Sequence, residues 1–463
     1  MKKSYLIDTS VILDDVENLF FLHQNGENTI FICDVTLSEL DKKKDFVNET
    51  GFFAREFFRN INSDNAGKSE FFAKGNDRIH IVHFSSSGRE IPLQIIHRPI
   101  YKTKFQDYGL NDARILEIAQ DYNLVLLTND ISLKVYALSA SIITQSLMRD
   151  RIEDPQAIDF LTHFSAHKSD IKANIEKEQE FQQLKNWSLI TVDELDNTEN
   201  SFYQTGKKHY GFKIDGAFES LNFDLLLEEF VFYVKPINLE QKFLYALLMH
   251  PRNKITICSG ATGSGKTLIA LQAGLHLLKK GSVNGIVYLR NTVTANDKEA
   301  ELGFRKGDEN QKLNYFMYPL FSAINFMITK MQKESLAKRI EYRGEANSIE
   351  SKEATEYFIA KHNIEVMDIA HARGVSIAKK FVIFDEAQNA SNATIKLIGT
   401  RMAEDSRIVF LGDPMQIDHP YLSKFRNGLV SLLKKAKQDN FLSGIVLHQT
   451  IRSEIAGWFE DNF

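Results

Sequence analysis

The stretch GATGSGKT, residues 260–267, has residue types and a spacing that are suited to chemistry on a phosphate. It has the G-x-x-x-x-G-K-[ST] spacing, with one further glycine, at Gly260, Gly263, Gly265, Lys266 and Thr267. Glycines let a loop wrap a phosphate with its backbone N–H groups, because side chains would block the approach. The lysine then reaches the terminal phosphates, and the threonine hydroxyl takes a site on Mg²⁺. The stretch therefore predicts a loop that binds ATP with Mg²⁺.

Two acids, Asp385 and Glu386, follow the apolar run FVIF further along the chain. Burying an ionised carboxylate without a cation or hydrogen-bond partner is heavily penalised. In a Walker-type nucleotide site, one acid holds Mg²⁺ through water and the adjacent acid takes a proton from the attacking water. We predict the first role for Asp385 and the second for Glu386. After a third apolar run, RIVFL, Gln416 or Asp413 is a candidate sensor of the γ-phosphate, although Asp413 suits a turn cap equally well.

Four more acids lie in the first part of the chain, each near the end of an apolar run or in a following helical pattern. They are Asp8, Glu39, Asp112 and Asp130. The carboxyl ends of parallel strands collect at one edge of a sheet, so these acids are expected to converge. Two unit charges about 4 Å apart repel by roughly 4 kcal/mol at an effective dielectric near 20. One or two Mg²⁺ or Mn²⁺ ions would remove that cost and orient water against a phosphodiester.

Each of these acids also has a purely structural interpretation. Asp8 and Asp130 suit turn or cap positions, and Asp112 suits the N-cap of a helix that begins at Ala113.

The elements that must position these residues form two α/β blocks, because short apolar runs alternate with helical patterns in both. We expect a three-layer domain with a parallel sheet in residues 1–150, and a P-loop domain of the RecA-like type in residues 236–463. Residues 151–235 are expected to form a linker helix and a small β element. The paired phenylalanines near Phe53 and Phe57 are expected in the core of a helix face, although stacking on bases is the alternative.

The composition of the chain limits the classes of function that it can have. The chain has 463 residues, 43% hydrophobic and 25% charged, which excludes wholesale disorder. Its net charge is -5, so a nucleic acid must be held by a local basic surface or through metal ions. The two cysteines, Cys33 and Cys258, lie in apolar runs and suggest free thiols in a reducing cytoplasm. No apolar run approaches membrane-spanning length, and we expect a cytoplasmic protein without a membrane partner.

A series of motifs between residues 236 and 463 resembles the PhoH-family ATPases, which are related to the first motor domain of superfamily 1 helicases. The motifs are PINLEQKFLYALL, GATGSGKT, ARGVSIAKKFVIFDEAQNAS, IKLIGTRM, FLGDPMQID and TIRSEI. The resemblance implies that Gln241 reads adenine, that Asp385 and Glu386 are the Walker B acids, and that Gln416 senses phosphate. The chain departs from the family at 303–308, in a loop that would meet nucleic acid or a neighbouring subunit. Candidate charge stabilisers by this resemblance are Arg373, Arg401 and Arg452.

Residues 1–150 resemble a PIN-domain ribonuclease, in which the four acids would bind metal and Thr128 or Asn129 would orient one of them. Both resemblances together imply an ATP-dependent RNA helicase or translocase coupled to a metal-dependent endoribonuclease. Tandem helicases donate an arginine from a second motor domain. This chain is long enough for only one motor domain, so the arginine would have to come from another subunit. We therefore predict a homo-oligomeric ring, a hexamer, in which Arg401 or Arg452 acts across subunits.

Two alternatives to this function stay open. One is a DNA helicase or flap nuclease, since no residue in the sequence identifies a 2′-OH. The other is an RNA-binding module switched by ATP, with an inactive first domain.

Overall fold

A computed structural model describes most of the chain. The described residues are 2–46, 49–61, 71–86, 88–102, 105, 109–147, 154–155, 157–197, 202–290, 318–340, 351–367, 369–372, 374–418 and 422–450. The chain forms two compact units, Met1–Arg149 and Asp150–Phe463. Both units contain sheets rich in parallel strands, so the predicted α/β class is confirmed.

The N-terminal unit is built on a seven-stranded sheet of order β3-β4-β5-β2-β1-β6-β7. Its strands are β1 (Ser4–Ile7), β2 (Thr29–Cys33), β3 (Phe71–Lys74), β4 (Asp77–Ser86), β5 (Arg89–His97), β6 (Val125–Leu127) and β7 (Thr144–Gln145). Its helices are α1 (Thr9–Ile12), α2 (Asn18–His23), α3 (Asp34–Lys43), α4 (Glu49–Asn60), α5 (Leu110–Asp121) and α6 (Ile131–Ser139). Strands β5, β2, β1, β6 and β7 pair in parallel, as expected, whereas β3, β4 and β5 pair antiparallel. The long stretch between α4 and α5 thus extends the sheet by a meander.

The phenylalanines of α4 pack in the core, which confirms the structural interpretation of this pattern. Phe57 is fully buried and Phe53 is 7% exposed, four residues apart on one helix face. The Phe57 ring stacks on Phe84 of β4 with centroids 5.6 Å apart. These rings are therefore not available for stacking on bases.

The second unit begins with a four-stranded sheet of order β11-β10-β9-β8. The elements are β8 (Leu161–His167), α7 (Ile171–Lys177), α8 (Gln179–Gln183), β9 (Leu189–Asn197), β10 (Phe202–Ile214) and β11 (Ala217–Leu221). The charged, Gln-rich stretch expected as a linker helix forms the short helices α7 and α8, whose Ile175 and Phe181 share a core with Phe164 of β8. The predicted small β element is thus a sheet with helices of its own.

The remainder of the second unit is a six-stranded, fully parallel sheet of order β14-β13-β15-β16-β12-β17. Its strands are β12 (Ile255–Gly260), β13 (Ile286–Arg290), β14 (Ile364–Met367), β15 (Phe381–Asp385), β16 (Arg407–Gly412) and β17 (Leu442–Leu447). Its helices are α9 (Phe223–Glu228), α10 (Leu239–Met249), α11 (Lys266–Lys279), α12 (Tyr318–Ile340), α13 (Ser351–Lys361), α14 (Ile369–Ala372), α15 (Asn392–Gly399) and α16 (Gly428–Ala436). Strands β12, β16 and β15 are neighbours, so the loops that follow them meet at one edge.

The two sheets of the second unit pack on each other through a close contact. A Cβ atom on Gly444 of β17 would lie 2.3 Å from the Phe160 ring, so only glycine admits this ring. Lys185 Nζ donates to the Leu442 carbonyl at 2.6 Å. The small sheet is therefore part of the same compact unit, and the expected boundaries at 150 and 235 stay predictions.

Among the helices of the described part of the chain, none is long and apolar enough to cross a membrane.

Replacing Phe57 by alanine is expected to lower the free energy of unfolding of the N-terminal unit by about 3–5 kcal/mol, because it leaves a cavity against Phe84. Hydrogen–deuterium exchange of peptides from α4 and β4 in the full chain measures this loss. Phe52→Ala is the matched control, since Phe52 is 44% exposed on the same helix. Equal losses of protection in the two variants would contradict the assignment of Phe57 to the core.

Candidate functional site

The predicted phosphate loop connects β12 to α11. Gly265, the N-cap of α11, has φ +87°, and Gly263 has φ +82°, a conformation that L side chains rarely adopt. A Cβ atom on Gly265 would lie 2.8 Å from Gln241 Nε2. A Cβ atom on Gly260 would lie 2.8 Å from the Leu447 carbonyl oxygen. Each of the three predicted glycines thus has a steric or conformational reason to be glycine.

Lys266 lies at the first position of α11 and folds back over the loop. Its Nζ donates to the carbonyls of Gly260 at 2.5 Å and Ala261 at 3.0 Å. The ammonium group is therefore held at the centre of the loop, where a phosphate oxygen could replace a carbonyl as its acceptor.

Thr267 and Asp385 are brought together, as the Walker interpretation predicts. The Thr267 hydroxyl donates to Asp385 Oδ2 at 3.1 Å, and the buried Tyr288 hydroxyl donates to the same oxygen at 2.8 Å. The second carboxylate oxygen accepts from the Glu386 backbone N–H at 3.0 Å. Asp385 is only 4% exposed, so these three donors supply the partners that a buried carboxylate requires.

Glu386 occupies a strained position directly after β15. Its φ is +57°, which is uncommon for a residue with a side chain. Gln388 Nε2 donates to Glu386 Oε2 at 2.5 Å, and an Arg290 guanidinium nitrogen lies 3.6 Å from Glu386 Oε1. Burial and repulsion from Asp385 raise the pKa of Glu386, although Gln388, Arg290 and Lys266 partly oppose this. A carboxyl with a raised pKa is better suited to accept a proton from water.

Gln416 links the loop after β16 to the phosphate loop. Its side-chain amide exchanges hydrogen bonds with the Thr262 hydroxyl at 2.8 and 2.9 Å. It also donates to Asp413 Oδ2 at 2.9 Å, and Asp413 Oδ1 accepts from the Met415 backbone N–H. Asp413 therefore acts as a turn cap, one of its two predicted roles. Gln416 is placed beside the loop that would hold the terminal phosphates.

Gln241 is 3% exposed and uses both ends of its amide within the chain. Its Nε2 donates to the Ser264 carbonyl in the phosphate loop at 2.9 Å, and its Oε1 accepts from the Ile237 N–H at 3.0 Å. It therefore joins the phosphate loop to the segment that precedes α10. Contact with adenine stays a prediction for this residue.

Of the three arginines that the resemblance implies as charge stabilisers, the structure describes only Arg401. Arg401 lies after α15, and its backbone carbonyl accepts from the Ile377 N–H at 2.8 Å. Its Nε is buried without a hydrogen-bond partner among the described residues. Arg373 and Arg452 lie outside the described residues, as does the loop at 303–308. A role of Arg401 or Arg452 across subunits stays a prediction.

In the N-terminal unit, Asp8 follows β1 and caps α1. Its Oδ2 accepts from the Ser10 hydroxyl at 2.5 Å, the Ser10 N–H at 3.2 Å and the Thr128 hydroxyl at 2.9 Å. Thr128 is fully buried and its hydroxyl also accepts from the Asp130 N–H at 3.0 Å. Burial raises the pKa of Asp8, these hydrogen bonds oppose the rise, and repulsion from Glu39 adds to it. Thr128 thus connects the two acids at the ends of β1 and β6.

Glu39 and Asp130 have neutral hydrogen-bond partners of their own. Glu39, on α3, accepts from the Thr9 hydroxyl at 2.5 Å and from Asn111 Nδ2 at 2.8 Å. Asp130 caps α6 and accepts from the Ser132 N–H at 2.7 Å. The capping interpretation therefore holds for Asp130, as it does for Asp8.

The pKa of Asp112 indicates that the other three acids lie close to it. Burial raises its pKa, and so does repulsion from Asp130, Asp8 and Glu39, in that order. The interpretation of Asp112 as an N-cap is wrong, because α5 begins at Leu110 with Gly109 as its N-cap and places Asp112 in the first turn. The four acids thus lie within electrostatic range of one another at one edge of the sheet.

This acid cluster, defined as Asp8, Glu39, Asp112 and Asp130, fits a hard divalent cation by its chemistry. All four donors are carboxylates, and mutual repulsion is among the causes of the raised pKa of both Asp8 and Asp112. Within the described ranges, no three His, Cys, Asp or Glu side chains are close enough together to hold a metal ion. An ion would therefore have to draw the carboxylates inward.

Sequence reasoning named Thr128 as a residue that would orient one of these acids, and it missed most of the other polar residues that hold them. Two of the missed residues could have been found from their positions in the sequence. Gln388 lies two positions after Glu386, and Ser10 lies two positions after Asp8. Tyr288 and Arg290, on the neighbouring strand β13, could not be found in this way.

The comparisons with known proteins cover both units. A family model described as PhoH-like protein matches residues 233–463, and one described as PIN domain matches residues 5–148. The protein PhoH2 of Bacillus subtilis is 26% identical over 482 residues, covering 98% of this chain and 98% of that protein. The protein PhoH2 of Thermobispora bispora is 23% identical over 466 residues, covering 98% of this chain and 95% of that protein.

Among solved structures, a domain of a functionally unknown protein from Methanocaldococcus jannaschii is 22% identical with a TM-score of 0.23, covering 34% of this chain and 99% of that chain.

Replacing Gly265 by alanine is expected to weaken ATP binding at least about tenfold, because the new Cβ would collide with Gln241 Nε2 and the left-handed backbone costs a further 1–2 kcal/mol or so. Fluorescence titration with a labelled ATP analogue measures the affinity. Gly281→Ala is the matched control, since Gly281 has φ +74° but open space around it. Unchanged affinity in Gly265→Ala would contradict the placement of this loop on the nucleotide.

Replacing Asp112 by asparagine is expected to raise the unfolding temperature of the chain in EDTA, because it removes one of four repelling charges. A raised carboxyl pKa gives stability that is present below the unfolded-state pKa and lost as pH rises through the folded-state pKa. The advantage of the variant over wild type should therefore grow from pH 4 to pH 7. Scanning calorimetry measures it.

The same variant should lose its response to metal. Mn²⁺ at a hundred times its dissociation constant would stabilise the wild type by about 2.7 kcal/mol, and Asp112→Asn much less. Asp41→Asn, which alters an exposed acid paired with Lys44, is the control and should respond as wild type does. Equal Mn²⁺ stabilisation of all three chains would refute the acid cluster as a cation site.

Proposed function

The chain belongs to the PhoH-like proteins and carries an N-terminal PIN domain, and from this premise we propose that it is an ATP-dependent RNA helicase or translocase coupled to a metal-dependent endoribonuclease, acting in RNA processing or decay. The observation that carries the proposal is the presence of two separate acid sites in one chain. One site faces a phosphate loop, and the other has four carboxylates near the ends of parallel strands.

In the proposed ATPase cycle, the chain's own residues bind and orient the triphosphate. The backbone N–H groups of residues 261–267 surround the phosphates, and Lys266 exchanges its carbonyl acceptors for phosphate oxygens. Thr267 and Asp385 would hold Mg²⁺, which would neutralise charge on the phosphates. Glu386 takes a proton from the attacking water, and Gln416 transmits the state of the γ-phosphate from Thr262 to the loop after β16.

In the proposed nuclease site, the acid cluster would hold Mg²⁺ or Mn²⁺. The bound ion would supply an activated water and stabilise the leaving oxygen of a phosphodiester. Ser10 and Thr128 hold Asp8, while Thr9 and Asn111 hold Glu39, until a cation draws the carboxylates inward. The proposed substrate is single-stranded RNA or an RNA with a single-stranded overhang.

We further propose that the active form is a homo-oligomeric ring, a hexamer, because one motor domain per chain leaves the stabilising arginine to a neighbouring subunit. Arg401 or Arg452 would supply it. The two free, buried thiols, Cys33 and Cys258, suit a reducing cytoplasm.

Two variants separate the proposed activities. Asp8→Asn should abolish cleavage of a labelled RNA with a single-stranded overhang, while ATP turnover persists. Lys266→Ala should abolish ATP turnover and unwinding, because the ammonium group no longer contacts phosphate. Lys280→Ala, on an exposed lysine paired with Glu229, is the control for lysine removal and should match wild type.

Matched RNA and DNA substrates decide between the alternatives. Turnover on DNA alone would replace the proposal with a DNA helicase or flap nuclease. ATP turnover without cleavage by the wild type in Mn²⁺ would instead support an RNA-binding module with an inactive PIN domain.

A further inference from the structure

The segment that follows β5 contacts two helices, and each of these helices carries one residue of the acid cluster. Glu39 lies on α3, and Asp112 lies in the first turn of α5. Asn111, also on α5, donates from Nδ2 to Glu39 Oε1 at 2.8 Å, so the parts of the helices that carry the acids meet. The separation of α3 and α5 therefore sets the distance across which Glu39 and Asp112 could share a cation.

Arg98, the first residue after β5, joins the hairpin of β4 and β5 to α5. Its guanidinium donates to the two carboxylate oxygens of Asp77, the first residue of β4, at 3.1 and 2.7 Å. It also donates to two acids of α5, Glu117 at 3.3 Å and Asp121 at 3.0 Å. The Lys102 backbone N–H donates to the same Glu117 oxygen at 2.7 Å. The segment is therefore attached to α5 through two of its residues.

Asp34, the first residue of α3, attaches the same segment to α3. The Tyr101 hydroxyl donates to Asp34 Oδ1 at 2.6 Å, and the Arg98 backbone N–H donates to Asp34 Oδ2 at 3.3 Å. The Arg114 guanidinium carbon, on α5, lies 5.0 Å from the centroid of the Tyr101 ring. Tyr101 thus contacts α3 with its hydroxyl and α5 with its ring.

The charges around Arg98 are buried, which makes their contribution to stability small. The Arg98 side chain is 6% exposed, and that of Glu117 is 1% exposed. Desolvation offsets the attraction of buried charges, so a buried ion pair adds little stability over apolar residues of the same size. Such a pair still requires one arrangement of its partners, because any other arrangement leaves a buried charge unpaired. The arrangement required here attaches α5 to the segment after β5.

We propose that Arg98, Tyr101 and Lys102 form a bracket of positioning residues, which holds α3 and α5 at the separation at which Glu39 and Asp112 bind one divalent cation. The two carboxylates repel each other until a cation binds, and the bracket opposes the separation of their helices. The inference rests on the proposed cation site and adds the residues that position it.

Both attachments of the bracket lie close to the acids along their helices. Glu39 is five residues after Asp34, and Glu117 is five residues after Asp112. A helix rises about 1.5 Å per residue, so each attachment lies roughly 7.5 Å along the axis from its acid. The backbone hydrogen bonds of a helix resist distortion, so release of Asp34 would displace Glu39 with it.

Binding of Mn²⁺ to the full chain without nucleotide, followed by the electron paramagnetic resonance of free Mn²⁺, tests this inference. The binding that Asp8→Asn lacks belongs to the acid cluster. Tyr101→Phe removes only a hydroxyl and should raise the dissociation constant of that binding about tenfold, as loss of a residue that orients metal ligands does. In the Asp8→Asn background, the same change should leave Mn²⁺ binding unaltered.

Asp34→Ala is the second variant, because it removes the acceptor of the same hydrogen bond. It should weaken Mn²⁺ binding as well, and adding Tyr101→Phe to it should have little further effect. Tyr203→Phe is the matched control, since the Tyr203 hydroxyl donates to Asp196 at 3.2 Å in the second unit, and it should bind Mn²⁺ as wild type does. Thermal unfolding in EDTA sets a temperature at which every chain is folded.

Two results would overturn the inference. An unchanged Mn²⁺ dissociation constant in Tyr101→Phe and Asp34→Ala would make the bracket purely structural, whatever the unfolding temperatures of these variants. Additive losses in the double variant would show that the contact between Tyr101 and Asp34 is not the cause. If the wild type instead binds no more Mn²⁺ than Asp8→Asn, the proposed cation site itself is refuted.

Discussion

Repulsion between carboxylates near the ends of parallel strands is the constraint on which both sites depend. In these two sites the buried acids Asp8 and Asp385 are tolerated because neutral donors engage them. Asp8 accepts from Ser10 and Thr128, and Asp385 accepts from Thr267 and Tyr288. Such donors satisfy lone pairs but add no positive charge. Burial and repulsion therefore still raise the pKa of Asp112 and of Glu386, although Arg290 and Lys266 partly oppose the rise at Glu386. We infer that the chain retains these repelling carboxylates because cations, or cations bound to phosphate, remove the repulsion during function.

The two units meet this constraint with different topologies. In the N-terminal unit the acids follow β1 and β6 and occupy the helices α3 and α5. In the second unit β12, β16 and β15 are neighbours, so the loop after β12, the loop with Gln416 and the acids Asp385 and Glu386 share one edge. Gly412 is required here, since a Cβ atom would lie 2.3 Å from Gln388 Oε1 and displace the amide that binds Glu386.

Much of this arrangement could be predicted from the sequence, because local patterns specify it. The spacing of Gly260, Lys266 and Thr267 identifies the loop, and an apolar run before Asp385 identifies the strand that brings it there. The resemblance named Thr128 as a residue that would orient one of the acids, and it donates to Asp8, 120 residues away. Tyr288 could not be predicted from a local pattern, since it is 97 residues from Asp385 and lies on another strand. Likewise, α7 and α8 have the charged composition of a linker, and only the burial of Ile175 and Phe181 identifies them as part of a core.

Anomalous scattering from Mn²⁺ in crystals of the full chain, grown with a non-hydrolysable ATP analogue, tests the central claim most directly. We predict one peak between the Asp8 and Asp112 carboxylates and another beside the Thr267 hydroxyl and the analogue's phosphates, with Asp385 in its water shell. A fully occupied analogue without a peak at Thr267, or carboxylates of the acid cluster that stay apart at saturating Mn²⁺, would contradict it.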